Sequence, residues 1–154
     1  YIVCTRNPLD ACVSCYYHAW NPHKSGWPFE AWALAWLAGA EMFGSYFTWH
    51  REWYLLYSNP PPGVEILWVY YEALLESPNA EVQRIADFLG VDYRTDPSLI
   101  ERVVNGSSFD SMKSAADKAK ESADAAGDTR PSASSDHLRK GIAGDWRNHF
   151  TPML

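Results

Sequence analysis

Two adjacent cations followed by glycine, Arg139-Lys140-Gly141, are the residues of this sequence best suited to chemistry. A guanidinium forks two phosphate oxygens, an ammonium adds a compact charge, and glycine lets backbone N–H groups come close. A solvated basic loop would have the same composition, and composition alone favours that plainer reading. A second group stands near the other end of the chain. Arg6 follows the apolar run Tyr1–Thr5, and Ser14 falls two helical turns beyond Asn7 and one beyond Asp10, roughly on their face. An arginine and a serine so spaced suit an anion. An ion pair of Arg6 with Asp10 or Glu72 would use the same arginine.

The elements around these residues decide where they point. Tyr1–Thr5 reads as a short strand, and Asn7 suits the N-cap of a helix whose first residue is Pro8. Arg6 is thus expected at the carboxyl end of a strand beside the positive end of a helix, where open α/β sheets bind anions. Val64 to Tyr70 is a nearly continuous apolar run, as in a buried parallel strand, with the strand itself placed at Glu65–Tyr70. Between the two strands, helices are expected from Phe29 to about Ala40 and from Ser45 to about Tyr57, with Asn59-Pro60-Pro61-Pro62-Gly63 ending the second. Ser77-Pro78 opens a helix whose Val82, Ile85, Ala86 and Leu89 recur at helical spacing, closed by Gly90. A shorter helix is expected from Pro97 to about Asn105. Ser114 to Asp136 has no large apolar residue and reads as a mobile polar loop or a partly helical lid.

Composition narrows the function classes. With 154 residues, 47% apolar and 15% aromatic, the chain can bury one core of ordinary size. A net charge of −6 argues against general nucleic-acid binding, so a basic site must be local. No transmembrane segment is read; Ala31–Trp49 is interrupted by Gly39, Glu41 and Gly44. Cys4, Cys12 and Cys15 are an odd, clustered set without a disulfide framework, which suggests the cytoplasm or another reducing compartment. Cys12-x-x-Cys15 falls inside the first helix without a second ligand pair, so it is read as structural rather than metal-binding. No metal is expected.

The order of the residues adds a resemblance. Arg139-Lys140-Gly141-Ile142-Ala143-Gly144-Asp145-Trp146-Arg147-Asn148-His149-Phe150-Thr151 resembles the C-terminal signature of the cytosolic-type sulfotransferases, which use 3′-phosphoadenosine 5′-phosphosulfate (PAPS). Arg6-Asn7-Pro8-Leu9-Asp10-Ala11-Cys12-Val13-Ser14 resembles the family's R-N-P-x-D-x-x-V-S block, whose Arg and Ser grip the 3′-phosphate. Tyr70-Tyr71-Glu72-Ala73-Leu74 resembles its Y-E-D-L element, which implies that Tyr71 reaches the adenine. Gly106-Ser107-Ser108-Phe109-Asp110-Ser111-Met112-Lys113 resembles T-S-F-x-x-M-K, with Ser107 in place of Thr and Phe109 stacking on the base. The cofactor-binding residues implied are Arg6, Ser14, Tyr71, Ser107, Ser108, Phe109, Met112, Arg139, Lys140 and Gly141. By themselves, Phe109 and Met112 would be read as core residues.

The resemblance implies a P-loop-like three-layer α/β/α fold with a central parallel sheet, the chain being the C-terminal portion of one such domain. The family's T-Y-P-K-S-G-T phosphate loop and its histidine base belong to the N-terminal part, and neither pattern is found here, so the fold is expected to be incomplete and no catalytic residue is assigned. His18, His23, His50, His137 and His149 are not given that role; His23 is read as a loop residue and His50 as a helix-surface residue. The function implied is transfer of a sulfuryl group from PAPS to the hydroxyl or amine of a small-molecule acceptor. This chain would supply the 3′-phosphate and adenosine contacts. The alternative is a non-catalytic sulfotransferase-like scaffold subunit. In either case a preceding segment or a larger assembly would cover the open sheet edge. Trp20, Trp27 and Phe29 are candidates for an acceptor pocket or for core. Dimerisation through the family's K-x-x-x-T-V-x-x-x-E segment is doubtful, because Arg147 stands for the Lys and Pro152 for the Val.

Overall fold

The computed structural model describes residues 1–18, 26–41, 43–125 and 138–151. Trp20, His23, His137, Pro152 and residues 126–136 of the polar stretch lie outside them, as do the readings made of these residues. The chain divides into two compact units, Tyr1–Glu76 with Ala143–Leu154, and Ser77–Ile142.

The first unit is built on a parallel strand pair, β1 (Ile2–Thr5) and β2 (Leu67–Tyr70), in the register Ile2↔Leu67, Val3↔Trp68, Cys4↔Val69 and Thr5↔Tyr70. Parallel neighbours need a long crossover. Here it carries α1 (Pro8–His18), α2 (Phe29–Leu37) and α3 (Tyr46–Ser58). β2 is two residues shorter at its start than the expected strand Glu65–Tyr70. α1 begins where the residues said it would: Asn7 Oδ1 accepts the N–H groups of Leu9 (3.0 Å) and Asp10 (3.3 Å). Ser45 caps α3 in the same way, its Oγ accepting Thr48 N–H at 3.2 Å. A short helix, α4 (Tyr71–Glu76), follows β2 directly.

Two clusters hold this unit together. Cys12, Tyr16, Trp32, Ala33 and Trp36 form the buried seam between α1 and α2, with Phe29 and Phe150 packed against it. Trp32 Nε1 donates to the Cys12 carbonyl at 3.2 Å, so the indole fills the seam without leaving its polar edge unmet. Phe29 and Phe150 meet edge to face at 5.1 Å; Phe29 is therefore a packing residue, whereas Trp27 is exposed and its carbonyl accepts the Tyr16 hydroxyl. The second cluster lies against the sheet, where Trp68 is surrounded by the rings of His50, Tyr54 and Tyr57 from α3 at 5.1, 6.2 and 5.6 Å. Its Nε1 donates to Thr5 Oγ1 at 3.0 Å, joining β2 to the buried hydroxyl of β1.

The second unit is helical among its described residues. α5 (Pro78–Phe88) packs on α6 (Leu99–Gly106), burying Ala86 and Ile100. Leu89 caps α5 and is exposed instead of continuing its apolar face. α6 starts two residues later than Pro97, because Asp96 and Ser98 form a turn in which Asp96 Oδ1 accepts Ser98 N–H and Oγ–H. α7 (Phe109–Ala125) is a helix through the first half of the stretch read as a loop or partly helical lid. Ala115, Ala116, Lys118, Ala119, Lys120 and Glu121 are good helix formers, and Ser108 Oγ accepts Ser111 N–H at the start.

Candidate functional site

Arg6 and Tyr71 occupy the next positions of the β1–β2 register after Thr5↔Tyr70. The strand ladder stops there and side chains carry it on. The Arg6 guanidinium carbon lies 4.4 Å from the centre of the Tyr71 ring. One step further, Asn7 N–H donates to Glu72 Oε1 at 2.8 Å. The Arg6 carbonyl accepts the Tyr46 hydroxyl from α3, and burial pushes the Tyr46 phenol above its ordinary pKa. Arg6 is thus half-buried at the carboxyl ends of both strands and beside the start of α1, with its backbone held from one side and its side chain against a ring. A cation stacked on an aromatic face loses little conformational freedom when it meets an anion. Ser14 is half-buried in the second turn of α1 beyond Asp10.

Asp10, read from the sequence as a motif residue and a possible partner of Arg6, has a different part. Its side chain is 1% exposed. Oδ2 accepts Gly144 N–H at 2.6 Å and Oδ1 accepts Trp146 N–H at 2.9 Å. Glu72 and Asp10, the two carboxylates considered as Arg6 partners, thus both accept backbone N–H groups. Gly144 has φ +85 and precedes the 3₁₀ turn Asp145–Asn148, in which buried Asp145 accepts Asn148 Nδ2 at 2.9 Å and lies 3.5 Å from His149 Nε2.

His50 is also placed differently from its reading as a surface residue. It is half-buried, edge-on to Trp68 of β2 and 5.9 Å from Tyr46 of its own helix, so aromatic rings rather than solvent face it on those sides. It lines a cavity of about 720 Å³ with Arg6, Tyr46, Phe47, Arg51 and Tyr54, at the carboxyl ends of the strands.

The remaining candidates belong to the second unit. Gly141 (φ +65) lies against Phe109: a Cβ there would stand 2.3 Å from Phe109 Cδ2 and 2.6 Å from Cγ. Only glycine allows that approach and that backbone angle together. Ser107 Oγ donates to the Val103 carbonyl at 2.7 Å and Ser108 Oγ to that of Asn105 at 2.8 Å, so both hydroxyls fold back on α6. Met112 is exposed on α7, Arg139 is half-buried and Lys140 exposed.

The thiols fit the structural reading. Burial pushes Cys12 up to about 12 and Cys15 to about 11. Among the described residues no group of histidine, cysteine and carboxylate side chains could hold a metal, and no helix is long and apolar enough to cross a membrane.

The family model of the sulfotransferase domain matches residues 1–154. The chain belongs to the sulfotransferase family. It is similar to mouse (Mus musculus) sulfotransferase 1B1, 34% identical over 97% of this chain and 48% of the relative. Bovine (Bos taurus) sulfotransferase 1A1 is 31% identical over 97% of the chain and 49% of its own length. The chain therefore spans about half the length of these sulfotransferases. Among solved structures, mouse sulfotransferase SULT7A1 complexed with PAP superposes with a TM-score of 0.75 at 28% identity, covering 99% of this chain and 52% of that one. Retinol dehydratase in complex with androsterone and inactive cofactor PAP gives 0.76 at 23% identity, covering 99% and 43%; it bears on the fold alone. The P-loop-like α/β fold expected from the sequence is the fold of these sulfotransferases.

Proposed function

We propose that the protein transfers a sulfuryl group from PAPS to a hydroxyl or amine of a small acceptor, and that this chain supplies the 3′-phosphate and adenosine contacts. The observation that carries the reading is Arg6, held over Tyr71 at the carboxyl ends of two parallel strands, in a sulfotransferase-family chain similar to a structure complexed with PAP. Arg6, Ser14, Arg139 and Lys140 have the charge and hydrogen-bonding capacity for the 3′-phosphate. Tyr71, Ser107, Ser108, Phe109 and Met112 offer rings, hydroxyls and a thioether suited to adenine, and Gly141 leaves the backbone beside Phe109 open to close approach.

When bound, the donor would supply an activated sulfuryl group carried on its phosphate. The residues named here bind and orient the nucleotide. Fixed cations are most effective where charge is held away from water, and the half-buried positions of Arg6 and Arg139 favour that role. The test is incubation of the natural protein with sulfur-labelled PAPS and a panel of phenols, alcohols and amines. Label on any acceptor supports the reading; no transfer, with PAPS unbound, contradicts it and favours a non-catalytic scaffold.

A further inference from the structure

We infer that Tyr46 is a positioning residue for Arg6: its hydroxyl holds the backbone from which the guanidinium reaches over Tyr71. The inference rests on the reading of Arg6 as a contact of the 3′-phosphate. Tyr46 opens α3, Arg6 follows β1 and Tyr71 opens α4, all within the first unit.

Arg6 stands where one element hands over to the next. The ladder ends with Thr5↔Tyr70, and the helical bonds of α1 begin at the Asn7 carbonyl, which accepts Ala11 N–H at 2.9 Å. The Arg6 carbonyl falls between the two. Main-chain groups at such a junction need a side chain or water as partner. The Tyr46 hydroxyl donates to that carbonyl, and Asn7 N–H donates to Glu72 Oε1 at 2.8 Å. These are the two polar ends of one peptide unit. A peptide is planar, so a plane held at its carbonyl from α3 and at its N–H from α4 fixes the backbone beside the Arg6 side chain. The guanidinium then starts from a set place when it lies 4.4 Å from the centre of the Tyr71 ring. Less freedom is lost when an anion binds.

Tyr46 is itself held. Its ring lies 5.3 Å from that of buried Trp36 in α2 and 5.9 Å from that of His50, and Ser45 caps the helix it opens. A tyrosine has few rotatable bonds, so packing of the ring decides where the hydroxyl stands. Docking of α3 on the sheet does not require this bond. Trp68 already packs among His50, Tyr54 and Tyr57, and a phenylalanine would fill the ring site of Tyr46. What the hydroxyl adds is the orientation of the Arg6–Asn7 peptide.

The test compares the affinities of the natural protein and of Tyr46→Phe for adenosine 3′,5′-bisphosphate and for 5′-AMP, at a temperature where circular dichroism shows both folded. Phenylalanine keeps the ring and removes the donor. The expected result is a bisphosphate affinity lowered about fivefold with 5′-AMP binding unchanged, the factor that one neutral hydrogen bond is worth. Isotope-labelled arginine gives a second readout by nuclear magnetic resonance, without nucleotide. In the natural protein the Arg6 Nε–H signal, assigned by its loss in Arg6→Lys, should be shifted upfield by the Tyr71 ring; in Tyr46→Phe it should return toward the other arginines. A purely structural role would lower the melting temperature and leave both the affinity ratio and the signal where they are. An unchanged ratio or an unmoved signal in the folded variant overturns this inference alone. Should Tyr46→Phe not fold, the unaltered protein decides: an upfield Arg6 signal before nucleotide is added supports a held guanidinium, and an unshifted one overturns it. A natural protein with no preference for the bisphosphate overturns the nucleotide reading and this inference with it.

Discussion

The Arg6 guanidinium lies 4.4 Å above the centre of the Tyr71 ring, and the two residues are the first pair beyond the end of the parallel ladder. Strand register therefore sets the cation and the ring opposite one another before any ligand is considered. Asn7 and Glu72 repeat the pairing one residue later through an N–H···O bond. The sheet end, the start of α1 and the start of α4 are joined within three residues of chain on each side. An anion-binding arginine gains from such a frame because its position does not depend on a flexible loop.

Replacing Arg6 by Ala should lower affinity for a 3′-phosphorylated nucleotide by about tenfold to a hundredfold, the range of one or two charge-assisted hydrogen bonds. Arg6→Lys should recover only part of this, since an ammonium neither forks a phosphate nor stacks as a plane on Tyr71. Titration calorimetry with adenosine 3′,5′-bisphosphate checks both variants. Equal binding by Arg6→Ala and the natural protein would remove Arg6 from the site.

Gly141→Ala should disturb the site with little change in the rest of the fold. The new methyl group would overlap Phe109, and a left-handed backbone costs an alanine about 1–2 kcal/mol. The expected outcome is weaker nucleotide binding, accompanied by a melting temperature lowered by roughly 2–8 °C, the shift that about 1–2 kcal/mol produces in a chain of this size. Tryptic fragments and thermal melts would report whether the loss stays local.

Trp32→Ala should destabilise the first unit by about 3–5 kcal/mol, the usual cost of emptying a buried indole site. Trp32→Phe should cost less, through the lost bond to the Cys12 carbonyl and a smaller void. Urea unfolding followed by fluorescence measures both.

The buried thiols give a pH dependence with a defined sign. Cys12 is raised from 9.0 to about 12 and Cys15 from 9.0 to about 11 by burial, so the folded state holds their protons where the unfolded state releases them. Stability from these groups is fully present below pH 9 and is lost as pH rises toward 11 and 12. Denaturant midpoints should fall across that window, and less so in Cys12→Ala measured against its own value at neutral pH. At pH 8, iodoacetamide should react at exposed Cys4 before Cys12 or Cys15.

Local chemistry made much of the fold legible. The apolar runs located β1 and β2, and Asn7-Pro8 and Ser45 marked helix starts that their side-chain bonds bear out. α7 was obscured because it has no large apolar face; its helix rests on alanine, lysine and glutamate propensity and on the Ser108 cap, which a search for buried periodicity does not register. His50 was misplaced because an imidazole on a helix reads as polar, whereas here the rings of Tyr46 from α3 and Trp68 from β2 lie against it. Asp10 escaped for a different reason. Its partners are backbone N–H groups 134 and 136 residues away, and backbone groups leave no mark in a sequence. The aspartate within Asn7-Pro8-Leu9-Asp10, one turn into a helix and flanked by Cys12 and Val13, was the available signal.

The most direct measurement is calorimetric titration of the natural protein with adenosine 3′,5′-bisphosphate and with 5′-AMP, repeated on Arg139→Ala. A preference for the bisphosphate that falls by about tenfold or more in the variant would establish a 3′-phosphate clamp, given the worth of a charge-assisted phosphate contact. Equal affinity for the two nucleotides, or a preference untouched by the loss of Arg139, would contradict it.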